Sequence, residues 1–151
     1  MRPFVTILSF LALLLCSGVA IRAQIHLSAH LSAAQEVPAT NSQGAGTISL
    51  TISEDLREVR YSITVDGLSG PVSAAHFHNA AAGSAGPVVV PLAFSGGTAS
   101  GAWKETDAKP FTKAMLVELL LGNLYVNVHS AKHPGGEIRA QLPYKAMKVA
   151  Y

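Results

Sequence analysis

Short stretches in which apolar and polar residues alternate run along much of the chain. Over 46–53, and again over 58–66, every second residue is apolar and its neighbours are polar. Side chains in a strand point alternately to the two faces of the sheet, so this pattern predicts two strands that each bury one face. The polar stretch 54–57 between them predicts a hairpin turn. The residues expected to face the core are Ile48, Leu50, Ile52, Val59, Tyr61, Ile63 and Val65.

Two further candidate strands, 88–94 and 98–104, flank a Ser-Gly-Gly sequence at 95–97. This arrangement predicts a second hairpin. Pro91 lies inside the first of these strands and cannot donate a backbone hydrogen bond. That strand is therefore expected at a sheet edge or at a bulge.

A helical spacing interrupts the strands at about 110–121, where apolar residues recur three and four positions apart. Gly122 follows where a C-terminal cap is expected. Two strand patterns come next, at 124–129 and 137–142, joined by a Pro-Gly-Gly turn at 134–136. Repeated strands at this spacing predict a mainly β fold, an antiparallel sandwich or barrel with one short helix.

The N-terminal segment has the pattern of a secretory signal. Arg2 precedes an apolar run over 4–15, and small residues lead to Ala23. The run is shorter than the roughly 20 residues that a membrane-spanning helix needs. We therefore expect a signal peptide at 1–23, with cleavage after Ala20 as the alternative, and a secreted or periplasmic location.

Removal of the signal changes the charge and the cysteine content of the chain. It removes two arginines and the single cysteine. The Lys and Arg that remain then equal the 9 Asp and Glu in number, so the net charge is near zero. Such a protein has no electrostatic reason to bind nucleic acid or an anionic membrane. Neither a disulfide nor a thiolate metal site is expected. Residues 24–143 suffice for one domain, followed by a short tail at 144–151.

Four of the six histidines fall in two motifs, Ala-His-Phe-His-Asn at 75–79 and Val-His-Ser-Ala-Lys-His-Pro-Gly-Gly-Glu at 128–137. Residues two apart in a strand face the same side, about 6.6 Å from each other. His76 and His78 are therefore expected to project together, while Phe77 points to the core.

The later strand repeats this separation of faces. Val126 and Val128 indicate its core side, so His129 is expected on the opposite face beside Tyr125. If the two strands lie near each other, three imidazoles converge. His133, held by the Pro-Gly-Gly turn, can complete the group.

A cluster of imidazoles suits Cu(II), Zn(II) or Ni(II) and lacks the sulfur that favours Cu(I). Copper is preferred because its affinity for such sites is the highest, and zinc is the alternative. Glu137 and Tyr125 are the candidates for the surrounding shell, with Glu137 accepting a hydrogen bond that fixes a tautomer. A separate site is possible at the mature N-terminus, where His26 would be the third residue and could bind Cu(II) or Ni(II) with the terminal amine and two amides.

A purely structural interpretation of the same histidines stands beside the metal hypothesis. In that interpretation His76 and His78 hydrogen-bond the loop 80–87, and His129 and His133 organise the Pro-Gly-Gly turn. Histidines on a sheet surface are often no more than polar residues.

Five motifs, in one order along residues 25–142, resemble the CHRD domain, which is named for chordin and is widespread in bacterial secreted proteins. They are Gln-Glu-Val-Pro at 35–38, Gly-Ala-Gly-Thr at 44–47, Ala-His-Phe-His at 75–78, Leu-Tyr-Val-Asn-Val-His at 124–129 and His-Pro-Gly-Gly-Glu-Ile-Arg-Ala-Gln at 133–141. The resemblance implies an extracytoplasmic, antiparallel Ig-like or Greek-key β-sandwich. It does not imply an activity.

Signatures of common enzymes are missing from the sequence: there is no Gly-x-Ser-x-Gly elbow and no phosphate-binding loop. The leading hypothesis is a secreted metal-binding module, with copper favoured over zinc. The alternative is a non-enzymatic extracellular interaction or adhesion module that binds a protein or a glycan without metal. A third possibility is a copper redox enzyme, since His-x-His and Gly-Gly-Glu-Ile-Arg are similar to short segments of copper/zinc superoxide dismutase.

Overall fold

Eight antiparallel strands form one curled sheet in the computed structural model, which describes residues 24–142. The strands are β1 (Ile25–Ser32), β2 (Ala45–Ile52), β3 (Glu58–Asp66), β4 (Val72–Asn79), β5 (Val88–Pro91), β6 (Thr98–Lys104), β7 (Leu124–Ser130) and β8 (Ile138–Gln141). A short 3-10 helix spans Ala33–Gln35, and helix α1 spans Lys113–Leu121. The predicted mainly β fold with one α-helix is confirmed. The predicted signal peptide at 1–23 and tail at 144–151 lie outside the described residues. Within 24–142, no helix is long and apolar enough to cross a membrane.

The strand order, β5-β4-β7-β8-β1-β2-β3-β6, divides the sheet into two halves of four strands. Strands β8 and β1 join the halves through a single residue pair, Ser32 with Arg139. The halves face each other across the core, where the Phe77 ring of β4 lies 5.6 Å from Tyr61 of β3 and 5.7 Å from Trp103 of β6. The arrangement is that of a β-sandwich or half-barrel.

The first predicted hairpin is confirmed. Strands β2 and β3 pair from Ile52 with Val59 at the turn to Ala45 with Asp66 at the far end. All the apolar residues of the two alternating patterns are buried except Tyr61, which packs half-buried against the core. Burial of one such side chain contributes roughly 1.5–3 kcal/mol, so the period-two pattern selects this face.

The second predicted hairpin is wrong. Strand β5 pairs with β4 and strand β6 pairs with β3, so the two lie at opposite edges of the sheet. Only an isolated bridge between Ser95 and Thr98 remains of the expected pairing. Strand β5 ends at Pro91, and the chain then crosses to the other half with Leu92 buried in the core. The expectation of an edge strand around Pro91 is confirmed.

Helix α1 begins slightly later than the expected 110 because Thr112 is its N-cap. The Thr112 hydroxyl accepts a hydrogen bond from the Met115 amide, as N-cap residues do. Gly122 ends the helix with a φ of +78°, a left-handed conformation that favours glycine, and this confirms the predicted C-terminal cap. Leu116 and Leu119 face inward and are buried.

Candidate metal centre

The outer face of strands β4 and β7 carries the side chains of interest. Phe77 on β4, and Val126 and Val128 on β7, are buried in the core as predicted. Their neighbours along each strand therefore point to the opposite face. Direct pairing of the two strands places His78 across from Tyr125 and His76 across from Asn127. His129 follows on the same face of β7.

The loop 80–87 covers part of this outer face. The Gly86 amide donates to Tyr125 Oη at 3.0 Å, and Arg139 Nη1 donates to the Ser84 carbonyl at 2.9 Å. With this cover in place, all the residues of β7 are buried, on both faces of the strand. His78 therefore lies beneath this loop, whereas His76 is only half-buried.

Three of the predicted histidines come together. One nitrogen from each of His76, His78 and His129 lies within 4.8 Å of the other two. His76 Nδ1 and His129 Nε2 lie 3.2 Å apart. A metal ion about 2.0–2.1 Å from each nitrogen requires separations of roughly 3–4 Å. The group is thus near the size of a metal site.

The second nitrogen of two of these rings is held by a backbone carbonyl. His78 Nδ1 lies 2.9 Å from the Gly86 oxygen, and His129 Nδ1 lies 2.9 Å from the Pro134 oxygen. A carbonyl oxygen only accepts, so both Nδ1 atoms carry the hydrogen and both Nε2 atoms keep a lone pair. Of the hydrogen bonds in the structural interpretation, those of His78 to the loop and of His129 to the turn are present, whereas His76 pairs with His129. The two that are present fix the tautomer that a metal ligand needs.

The Nε2 lone pairs of His129 and His78 differ in whether they have a hydrogen-bond donor. His129 Nε2 can accept only if His76 Nδ1 donates, so these two atoms share one hydrogen that a metal ion would replace. His78 Nε2 is buried and has no hydrogen-bond partner among the described residues. A buried polar atom left in this way costs about 1–3 kcal/mol, and a bound ion would remove that cost.

Two of the imidazoles, His76 and His129, are also in the charge state that binds metal. Burial lowers the pKa of His76, and the charges of His129, His78 and Lys109 lower it further. Burial likewise lowers the pKa of His129, against the opposing effect of its hydrogen bond to Pro134. At neutral pH these two rings are therefore neutral, the form that binds metal.

Tyr125 and Arg139 support the His78 ring. Tyr125 is stacked on His78 with centroids 4.7 Å apart and planes 8° from parallel. The Arg139 guanidinium carbon lies 3.5 Å from the centroid of the same tyrosine ring. Since β7 lies between β4 and β8, Tyr125 is sandwiched between His78 and Arg139. Tyr125 was expected near the site, whereas nothing in the sequence singled out Arg139.

Glu137 lies elsewhere than expected. Its carboxylate is fully buried and accepts hydrogen bonds from Ser42 Oγ at 2.6 Å, the Ser69 amide at 2.7 Å and Ser69 Oγ at 2.9 Å. These partners are serines and not histidines. The tautomer-fixing role predicted for Glu137 is carried out by the Gly86 and Pro134 carbonyls.

The two remaining predicted ligands are not brought to the cluster. His133 is half-buried in the turn after β7, where its amide donates to the Ser130 carbonyl, and its side chain is outside the three-histidine group. His26 lies on β1, with Nδ1 3.0 Å from Thr51 Oγ1. Because His26 is paired with Thr51 across β1 and β2, an N-terminal copper site would have to unpair the start of β1.

Comparison with known proteins identifies the domain. No curated protein and no solved structure matches the chain significantly. The family model for the CHRD domain matches residues 27–142, which is most of the chain and includes all three clustered histidines. The chain therefore belongs to the CHRD domain family.

Proposed function

We propose that this chain is a secreted or periplasmic CHRD-domain protein that binds one transition-metal ion through His76, His78 and His129. The observation that carries the proposal is the convergence of three imidazole nitrogens within 4.8 Å, with two of the rings fixed by carbonyl partners. The extracytoplasmic location rests on the signal-like pattern at 1–23 and on the family.

Copper is the favoured ion and zinc the alternative. The site offers neutral nitrogen ligands and no sulfur, and for such ligands divalent copper binds more tightly than zinc. Neutral ligands leave the charge of the ion uncompensated, which is costly in a dry interior. His76 is only half-buried, so water can approach the ion from its side.

Elemental analysis of the secreted protein, purified without an affinity tag after incubation with Cu(II) or Zn(II), tests the proposal. We expect about one ion per chain in the wild type and none in His76→Ala combined with His78→Ala. His76→Ala alone is a second variant, because it leaves the buried His78 packing intact. His30→Ala, on β1, is the matched control and should retain the ion. Unchanged stoichiometry in the double variant refutes the proposal.

An interaction module remains the second candidate because of one exposed feature. Val117 and Leu121 are 52% and 58% exposed and lie one turn apart on α1. Exposed neighbouring apolar residues can mark a protein contact. If the wild-type protein takes up no metal, Val117→Lys and Leu121→Lys would test whether this face of α1 is a protein contact.

A further inference from the structure

Asn127 lies on the same outer face as the three histidines. It is directly across from His76 in the pairing of β4 with β7, and it comes two residues before His129 on β7. Directly opposite Cα atoms in an antiparallel pair lie about 4.5–5.5 Å apart. Neighbours two apart on a strand lie about 6.6 Å apart. The Asn127 side chain is thus adjacent to two of the three imidazoles.

The amide oxygen of Asn127 has no partner. Asn127 is 4% exposed, and its Oδ1 is buried without a hydrogen bond to any described residue. Only three buried side-chain atoms of residues 24–142 are in this condition, and the second of them is His78 Nε2, on the same face. Both atoms carry lone pairs, so both require an electron-pair acceptor. A cation bound by both atoms would satisfy both.

The other candidates for a fourth ligand are committed elsewhere. His133 lies in the turn outside the cluster. The Glu137 carboxylate already accepts three hydrogen bonds from Ser42 and Ser69. Arg139 is a cation and cannot bind a metal ion.

We infer that Asn127 Oδ1 is the fourth ligand of the ion held by His76, His78 and His129, an inference that rests on the function proposed above. Three imidazole nitrogens and one amide oxygen form a four-coordinate set. Closed four-coordinate sites hold an ion, whereas catalytic sites keep one position open for water or substrate. By analogy with zinc sites, a site whose fourth position Asn127 fills would hold the ion and leave no fourth position open for a small substrate.

The location of the ligands is consistent with a closed site. His78 is 7% exposed and His129 is 9% exposed. The loop 80–87 is bonded to Tyr125 and Arg139 over the same face. A small anion therefore reaches the ion only from the side of the half-buried His76, across from Asn127.

Azide binding to the copper-loaded secreted protein tests the inference, because azide coordinates Cu(II) only where a position is open. We expect azide to leave the visible and electron paramagnetic resonance spectra of the wild type unchanged. In Asn127→Ala the vacated position should bind azide and produce a new charge-transfer band. Asn79→Ala, an asparagine variant at the end of β4, is the control and should behave as the wild type.

Asn127→Asp keeps the shape of the side chain and provides a second measurement if the alanine variant folds poorly. Its carboxylate oxygen should keep azide out and bind Cu(II) more tightly than the wild type. Azide binding to the wild type, or an Asn127→Ala protein with the wild-type spectrum and no azide response, overturns the inference while leaving the three-histidine site intact. A wild type that takes up no copper overturns both proposals.

Discussion

Replacing Glu137 with glutamine is expected to destabilise the fold at neutral pH and to flatten the pH dependence of its stability. One carboxylate oxygen accepts from Ser42 Oγ and the Ser69 amide, and the other accepts from Ser69 Oγ. These bonds tie two loops to the start of β8. The amide nitrogen of glutamine cannot accept a hydrogen bond, so at least one of the donors would lose its partner.

The size of the effect follows from the charge of the buried carboxylate. Burial acts to raise the pKa of Glu137, but the surrounding serine hydroxyls and the Ser69 amide outweigh it and lower the pKa from 4.5 to about 2. At about 1.4 kcal/mol per pKa unit, this difference corresponds to about 3 kcal/mol of stability. Because the pKa is lower in the folded state, this stability is present above pH 4.5 and is lost as the pH falls towards 2.

Urea denaturation of the wild type and of Glu137→Gln over this pH range measures the effect. The free energies of unfolding should differ by about 3 kcal/mol at neutral pH, and the difference should shrink as the pH approaches 2. Glu105→Gln is the control, since Glu105 is an exposed partner of Arg57 whose loss should cost less than about 1 kcal/mol. A difference that stays constant with pH would show that the carboxylate charge is not the cause.

Two other substitutions test the surroundings of the site. Burial raises the pKa of Glu36 to about 7 despite the opposing charge of Arg139, so wild-type stability should fall as the pH rises from 4.5 through about 7. Glu36→Gln should remove that fall in thermal melts, and an unchanged slope would contradict it. Arg139→Lys should loosen the loop, because lysine cannot both stack on Tyr125 and reproduce the planar guanidinium bond to Ser84. Faster amide exchange over 81–86, equivalent to about 1 kcal/mol, is the expected result, and unchanged protection would contradict it.

Alternation along single strands predicted the fold class and the side on which each clustered histidine lies. Phe77 indicated the core side of β4, and Val126 with Val128 indicated that of β7. Each of these assignments depends only on a period of two, which a local sequence contains. The convergence of His76 and His129 also required the two strands to be neighbours, a relation between distant segments that no local pattern contains.

Contacts between distant segments could not be predicted in the same way. The partners of His78 and His129 are the backbone carbonyls of Gly86 and Pro134. Because every residue has such a carbonyl, the sequence does not indicate which ones are the partners. The hairpin error around Pro91 has a related origin, because a Gly-Gly turn between two apolar stretches also occurs where the chain changes from one half of a sheet to the other. Local patterns identify strands, and only packing decides which strands become neighbours.

Burial of β7 on both faces limits the substitutions that this strand can tolerate. One side of the strand contributes Val126 and Val128 to the core, and the other carries His129 beneath its cover. Substitutions there disturb packing and site together, so few residue types would be tolerated at any position. His76 on β4 is half-buried, so a substitution there disturbs the packing less. Changes of metal preference at the proposed site should therefore arise first at His76, with few substitutions on β7.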